Sequence, residues 1–242
     1  MKLIQKEKKK QMRNDNTTSY DAANTINAVQ NYKEKNWSIL PIQYQHKNPL
    51  IPNWNQRMVD DCFPEREFSD PQNVGVILGD NSDGLTDIDI DNSIALKLAP
   101  YFFPETGIIF GRKSNPSSHK LYKTQTEPSF TKLSHPSLGT IIEIRRNGLQ
   151  TVCPPSIHPS GEVIKFEKFD DPLEIDIEVL ESSAKRTAAA SLLVGYWNEG
   201  LRHDLTLAVS GLLLKSPQWS ANEIEEFIRA IGVRLVCNSL SG

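Results

Sequence analysis

The sequence predicts a mixed α/β domain followed by a small helical unit. Three observations predict it: short apolar runs of alternating pattern, broken by Gly, Pro, Asn and Asp, fill residues 73–168; "GLTDIDIDN" (84–92) sets aspartates at every second position of one such run; and after "FDDPLE" (169–174) the apolar period changes to 3.6.

Residues 1–18, including MKLIQKEKKKQMR, read as a flexible basic lead. A domain spanning 19–175 follows. Its early part ends in "PLIPNWNQR", where Trp54 and the prolines predict an ordered loop close to a core. "NVGVILG" is an apolar strand, "DNSDG" a turn and "LTDIDID" a second strand. A short helix is expected at Ser93 to Leu98, then strands in "TGIIFG", "SHKLYKT", "TIIEIRR", "LQTVC" and "EVIKFEK", the last two separated by the rigid "PPSIHPSG" loop. A helical appendage is expected over 182–242, with its boundary near 170–182. Residues 184–197 are alanine-rich and helical in pattern. Asp204 is expected to cap a helix whose stripe is Leu205, Ala208, Val209, Leu212 and Leu213, and Ser220 with Glu223 forms a capping box ahead of Ile224, Phe227, Ile228 and Ile231.

Composition narrows the classes. The chain has 242 residues and a formal net charge of -3, so its average charge singles out neither a nucleic-acid nor a membrane partner. Cys62, Cys153 and Cys237 are far apart and form no C-x-x-C pair, which argues against a structural zinc or a disulfide framework and points to a reducing, cytoplasmic setting. No apolar stretch follows the basic start, so neither a signal peptide nor a membrane span is expected.

The aspartates carry the chemistry. In a strand, Asp87, Asp89 and Asp91 share one side while Ile88 and Ile90 point to the other, toward a core. Converging carboxylates repel unless cations compensate them, and an oxygen-only set suits Mg²⁺ or Mn²⁺. A solvent-exposed strand face and a calcium site are the alternatives, although the EF-hand spacing is absent. "FGRKSNPSSHKLY" (110–122) brings Arg112, Lys113, hydroxyls and His119 to a turn, the donors a triphosphate needs, although read in isolation it fits a basic surface loop better. Glu143, between apolar neighbours in "TIIEIRR", needs either Arg145 or a metal shared with the aspartates. "RHD" (202–204) reads as a helix cap in preference to a metal pair.

Three segments in order carry a resemblance: "DID" at Asp89 to Asp91, "SSH" at Ser117 to His119, and "IIEIR" at Glu143. With "GRKSNPSSHKLY" and "PPSIHPSG", they resemble the primase-polymerase domain of the archaeo-eukaryotic primase superfamily. The closer likeness is to the bifunctional DNA primase/polymerase N-terminal group found in replication proteins of plasmids, phages and integrated elements. The similarity runs from about Asn73 to Phe166, and more loosely through "GLRHDLTLAVSGLLL".

The resemblance implies a DNA primase/polymerase that carries out template-directed nucleotidyl transfer with two divalent metals, Mg²⁺ or Mn²⁺. It implies Asp89, Asp91 and Glu143 as metal ligands and His119 as a triphosphate contact. Arg112, Lys113, Ser117 and Arg145 would join it on the phosphates, with Ser156 and His158 on the nucleotide side. Asp87 shares the aspartate face but falls outside the matched pair. The implied partners are single-stranded DNA template, a primer strand and nucleoside triphosphates. The sequence has no zinc-binding cluster and no Walker A motif, so a helicase module, if one takes part, would lie downstream or act in trans. A metal-dependent nuclease or phosphodiesterase, and a non-catalytic nucleic-acid-binding replication module, remain as alternatives.

Overall fold

The computed structural model describes residues 20–238, with side chains described through 232. The basic lead, residues 239–242 of the tail and the Cys237 side chain lie outside what is described.

Two antiparallel sheets organise the chain. Helix α1 (Ala22–Glu34) is capped by the Asp21 carboxylate, which accepts from the Asn24 amide at 3.0 Å. Strand β1 (Ile39–Gln43) follows, and after a single-turn helix α2 (Pro64–Glu67) comes β2 (Gln72–Ile77). The next elements are β3 (Leu85–Ile90), α3 (Ser93–Phe102), β4 (Ile108–Arg112), β5 (Asn115–Lys123), β6 (Lys132–His135) and β7 (Gly139–Arg145). Then come β8 (Gln150–Cys153), β9 (Ser156–Ile157), β10 (Val163–Phe169) and β11 (Leu173–Glu174). The small sheet has the order β1-β2-β8; the large one runs β6-β7-β3-β5-β4-β10-β9, with β11 added parallel to β5.

Alternation decides which side of the large sheet meets which layer. Ile88 and Ile90 of β3, Ile142 and Ile144 of β7 and Tyr122 of β5 face α3 and α4 (Ile177–Val194), joined there by Ile177, Leu180, Ala184 and Ala188. The opposite side buries Leu85, Ile108, Phe110 and Leu121 against the small sheet and α1, through Val29, Tyr32, Trp37, Ile39, Leu40, Val74 and Val76. Trp54 packs on this second cluster, as its loop predicts. Arg146, 4% exposed, ties the turn after β7 to the rest by ion pairs to Glu127 at 2.6 Å and Asp80 at 3.0 Å.

The C-terminal helices extend from this scaffold. Helix α4 begins at Ile177, and its first turns are part of the sheet core, so position 182 falls inside it. Helices α5 (Arg202–Leu213) and α6 (Ala221–Asn238) form a third apolar cluster with α3 and α4 around Leu98, Trp197, Phe227 and Ile231. The capping box forms as expected: the Glu223 amide donates to Ser220 Oγ at 3.3 Å and the Ser220 amide to Glu223 Oε2 at 2.8 Å.

Three local expectations are corrected. Helix α3 continues through Pro100 to Phe102, because a proline in the last turn removes one amide that the Asn92 cap and the Phe103 amide bond to Ala99 offset. Asp204 does not cap α5: the helix starts two residues earlier, after Leu201, and the carboxylate sits in the first turn, where it opposes the positive end of the dipole. Of the expected α5 stripe, Leu205, Val209 and Leu213 pack inward while Ala208 and Leu212 are exposed, since the helix meets its neighbours along a narrow line.

Candidate active site

Register builds the site. Asp89 pairs with His119 of β5 on one side and with Glu143 of β7 on the other. Phe110 of β4 is opposite His119, and Lys132 of β6 is opposite Glu143. Directly opposed residues of a sheet share a face, so Phe110, His119, Asp89, Glu143 and Lys132 form one row across five strands. The small sheet covers this face only in part. Where it stops, a cleft of about 320 Å³ opens, lined by Asp89, His119 and Glu143 of the row, by Asp91, Arg112, Arg145 and His158, and on its other wall by Lys47, Gln150, Thr151 and Val152. A larger cavity of about 610 Å³ lies between α1, β3 and β11, but none of these row residues reaches it.

Asp87 anchors the cleft from below. It has no solvent exposure, and its carboxylate lies 3.1 and 3.2 Å from His119 Nδ1 and 3.7 Å from Arg145 Nη1. Burial disfavours its charge, but His119 and Arg145 outweigh burial and hold the acid below its ordinary range. For His119, burial likewise disfavours the cation, and Asp89 and Asp87 outweigh it, so its pKa is raised. The Phe110 ring stacks on the imidazole at 4.7 Å with planes 8° apart. With Nδ1 committed to Asp87, Nε2 faces Asp89 at 3.7 Å and the cleft.

The remaining charges are paired across the strands. Arg145 holds Asp89 at 3.3 Å and donates from its other nitrogen to the Gln150 carbonyl at 2.6 Å, joining the two sheets at the site. Lys132 holds Glu143 at 3.0 Å. Asp91 follows the end of β3, its amide bonded to the Ile141 carbonyl at 3.2 Å. Burial, then the charges of Asp89 and Glu143, raise its pKa. His158 is shifted down by burial, then by Lys47 and Arg112, which favours the neutral ring.

The structure therefore brings Asp89, Asp91, Glu143, His119, Arg112, Arg145 and His158 to one cleft and leaves three expected residues outside it. Lys113 is turned into a neighbouring cavity with Pro116, Lys165 and Glu167, because the β4–β5 turn directs it past the sheet edge. Ser117 has φ 54°, a left-handed residue inside a bulged strand that resets the alternation, so it bonds Glu167 and the adjacent Ser118 lines the cleft. Ser156 is buried and structural: its hydroxyl donates to the Cys153 carbonyl at 2.5 Å and accepts from the Val74 amide at 2.9 Å. The sequence reading missed Lys47, Gln150 and Thr151, which come from the small sheet and its loop; only the pairing of β8 with β2 reveals them.

The donor chemistry fits a hard divalent cation, since Asp89, Asp91 and Glu143 offer oxygen alone and their mutual repulsion is visible at Asp91. Among the described residues no group of three or more acidic, histidine or cysteine side chains is drawn together in a way that could hold a metal ion. Arg145 and Lys132 serve instead as counter-cations for Asp89 and Glu143.

Fold and cleft define a mixed α/β domain with a carboxylate-rich site on an antiparallel sheet. The chain belongs to the bifunctional DNA primase/polymerase N-terminal family, whose model matches residues 29–176. That match spans both sheets and every residue of the cleft, and it ends where α4 begins. No curated protein matches the chain well enough to count as a relative. Among the described residues, no helix is long and apolar enough to cross a membrane.

Proposed function

We propose that the cleft is a nucleotidyl-transfer site that extends a primer strand along single-stranded DNA, using nucleoside triphosphates and two Mg²⁺ or Mn²⁺ ions. The observation that carries this reading is the position of Asp89 between His119 and Glu143 in a member of a primase/polymerase family. Asp89, Asp91 and Glu143 would hold the ions. When bound, they supply a lowered pKa for the primer 3′-hydroxyl and neutralisation of the triphosphate and departing pyrophosphate.

The chain's own residues do the positioning. Asp87 fixes the His119 ring and, after Asp89, raises its pKa, which favours the cation whose Nε2 would present a proton to a phosphate oxygen. Arg112, held by Glu162 at 3.2 Å and by Ser114 at 3.0 Å, adds a guanidinium at the cleft wall. Neutral His158 lines the same wall for contact with the nucleotide. Asp89 and Glu143, now paired with Arg145 and Lys132, would exchange those cations for the ions they hold. Template contact is largely electrostatic and weakens steeply with salt.

The test is extension of a labelled primer on single-stranded DNA with deoxynucleotides and either metal, comparing the wild type with Asp89→Ala/Asp91→Ala. Stepwise products lost in the variant support the reading. DNA binding without extension under either metal overturns it, and metal-dependent degradation without nucleotides points to a nuclease.

A further inference from the structure

The cleft's second wall carries a cation that the acidic row does not neutralise. Lys47 lies in the loop after β1, on the small sheet, facing a site whose carboxylates all come from the large sheet. Arg112 and Arg145, which line the same cleft, are engaged by Glu162 and Asp89. Among the described residues, the Lys47 ammonium has no carboxylate at ion-pair distance and acts on Asp91 only across a longer gap, so its charge is available to an incoming anion.

Its backbone is fixed although its side chain is exposed. Gln150 Nε2, reaching from β8, donates to the Lys47 carbonyl at 2.7 Å. One residue earlier, the His46 carbonyl accepts from Asn73 Nδ2 at 3.0 Å. Asn73 is fully buried, and the same amide also exchanges bonds with the Ile157 carbonyl at 2.8 Å and the Ile157 amide at 3.0 Å. One buried side chain thus sets the position of Lys47's loop and of the strand leading into His158. A lysine whose main chain is held this firmly loses less freedom when it binds.

We propose that Lys47 binds the triphosphate of the incoming nucleotide, closing on it from the small sheet while Arg112 and His119 act from the large one. This rests on the nucleotidyl-transfer reading above and adds a residue from a different sheet to it. A compact ammonium on a flexible stem suits a phosphate chain that shifts as pyrophosphate leaves, where a rigid guanidinium fork would fix one geometry. Asn73 and Gln150 are positioning residues for it.

The experiment uses inorganic tripolyphosphate as probe, titrated calorimetrically without metal into the wild type, Lys47→Ala and Lys47→Arg, alongside primer extension and DNA affinity. Lys47 is exposed, so neither substitution disturbs the core. The expected result is a loss of tripolyphosphate affinity in Lys47→Ala of about 10- to 100-fold, the range for a hydrogen bond between charged groups. Lys47→Arg recovers most of it, the nucleotide KM rises more than kcat falls, and DNA affinity is unchanged. Equal binding of tripolyphosphate by wild type and Lys47→Ala, no binding by either, or a loss confined to DNA affinity overturns the proposal. Lys47-dependent tripolyphosphate binding by a wild type that extends no primer leaves this inference standing and removes the polymerase reading.

Discussion

His119 Nδ1 lies 3.1 Å from the carboxylate of Asp87, a group with no solvent exposure, so the orientation of a cleft histidine is set by a charge beneath it. Asp87→Asn keeps the shape and removes the charge. Breaking one side of a buried ion pair costs about 3–5 kcal/mol. The variant should unfold at lower denaturant, and an NMR titration should find the His119 pKa lowered. An unchanged pKa would show that Asp89 alone sustains the cation.

The same pair makes stability depend on pH in two directions. His119 is raised from 6.5, so the stability it contributes is complete below that value and is lost as pH climbs through its higher folded value. Asp87 is lowered from 3.8, so its contribution is present above that value and lost as acid passes through its lower folded one. Denaturation curves should place the pair's largest contribution between those limits, with stability declining toward alkaline pH; Asp87→Asn should flatten that decline.

Phe110 stacks on His119 from β4 and is itself buried. Phe110→Leu preserves most of the volume and should cost under about 1.5 kcal/mol. It removes the flat surface that holds the imidazole plane. Primer extension should fall in kcat more than the folded fraction falls; parallel loss of both would mean Phe110 only fills space.

Gly111 sits under the β4–β5 turn. A Cβ there would meet the Asn115 carbonyl oxygen at 2.4 Å and the Ser117 amide nitrogen at 2.8 Å, both backbone atoms. Gly111→Ala should therefore displace the turn that carries Arg112, at a cost of about 1–3 kcal/mol. Nucleotide KM should rise with little change in DNA affinity.

Glu223 is held down to about 2 by the Ser220 amide and hydroxyl and by Arg186 of α4, at 2.7 Å. Its stabilisation is present above the ordinary value of 4.5 and is lost as pH falls toward the folded one. Acid should loosen α6 before the sheets, read by hydrogen exchange, and Ser220→Ala should cost about 1 kcal/mol at neutral pH.

The strands of the large sheet were legible because they alternate strongly: Ile88 and Ile90 against Asp87 and Asp89 fix both element and face. The α1 helix and strands β1 and β6 carry weaker patterns, and nothing local marks β1, β2 and β8 as a separate sheet. The acidic row was legible in composition, but its pairings were not, because register arises between segments distant along the chain. Ser117 shows the limit most plainly. Its alternation with His119 predicts a shared face, and a single left-handed residue in a bulge reverses that. Lys47 was hidden for the opposite reason, as an ordinary loop lysine until Gln150 and Asn73 locate its loop.

Strand β3 is the middle of the row, with β5 and β7 pairing to it only after the chain has passed through α3, β4 and β6. No two neighbouring segments contain the cleft, so its charges gather only when long loops have closed. Early, locally folded states then keep Glu143 apart from Asp89 and Asp91, and the repulsion between them is met only when β7 pairs with β3. An anion- or cation-binding ligand that favours the closed row should slow unfolding more than it speeds folding, since its site is absent from the half-formed chain.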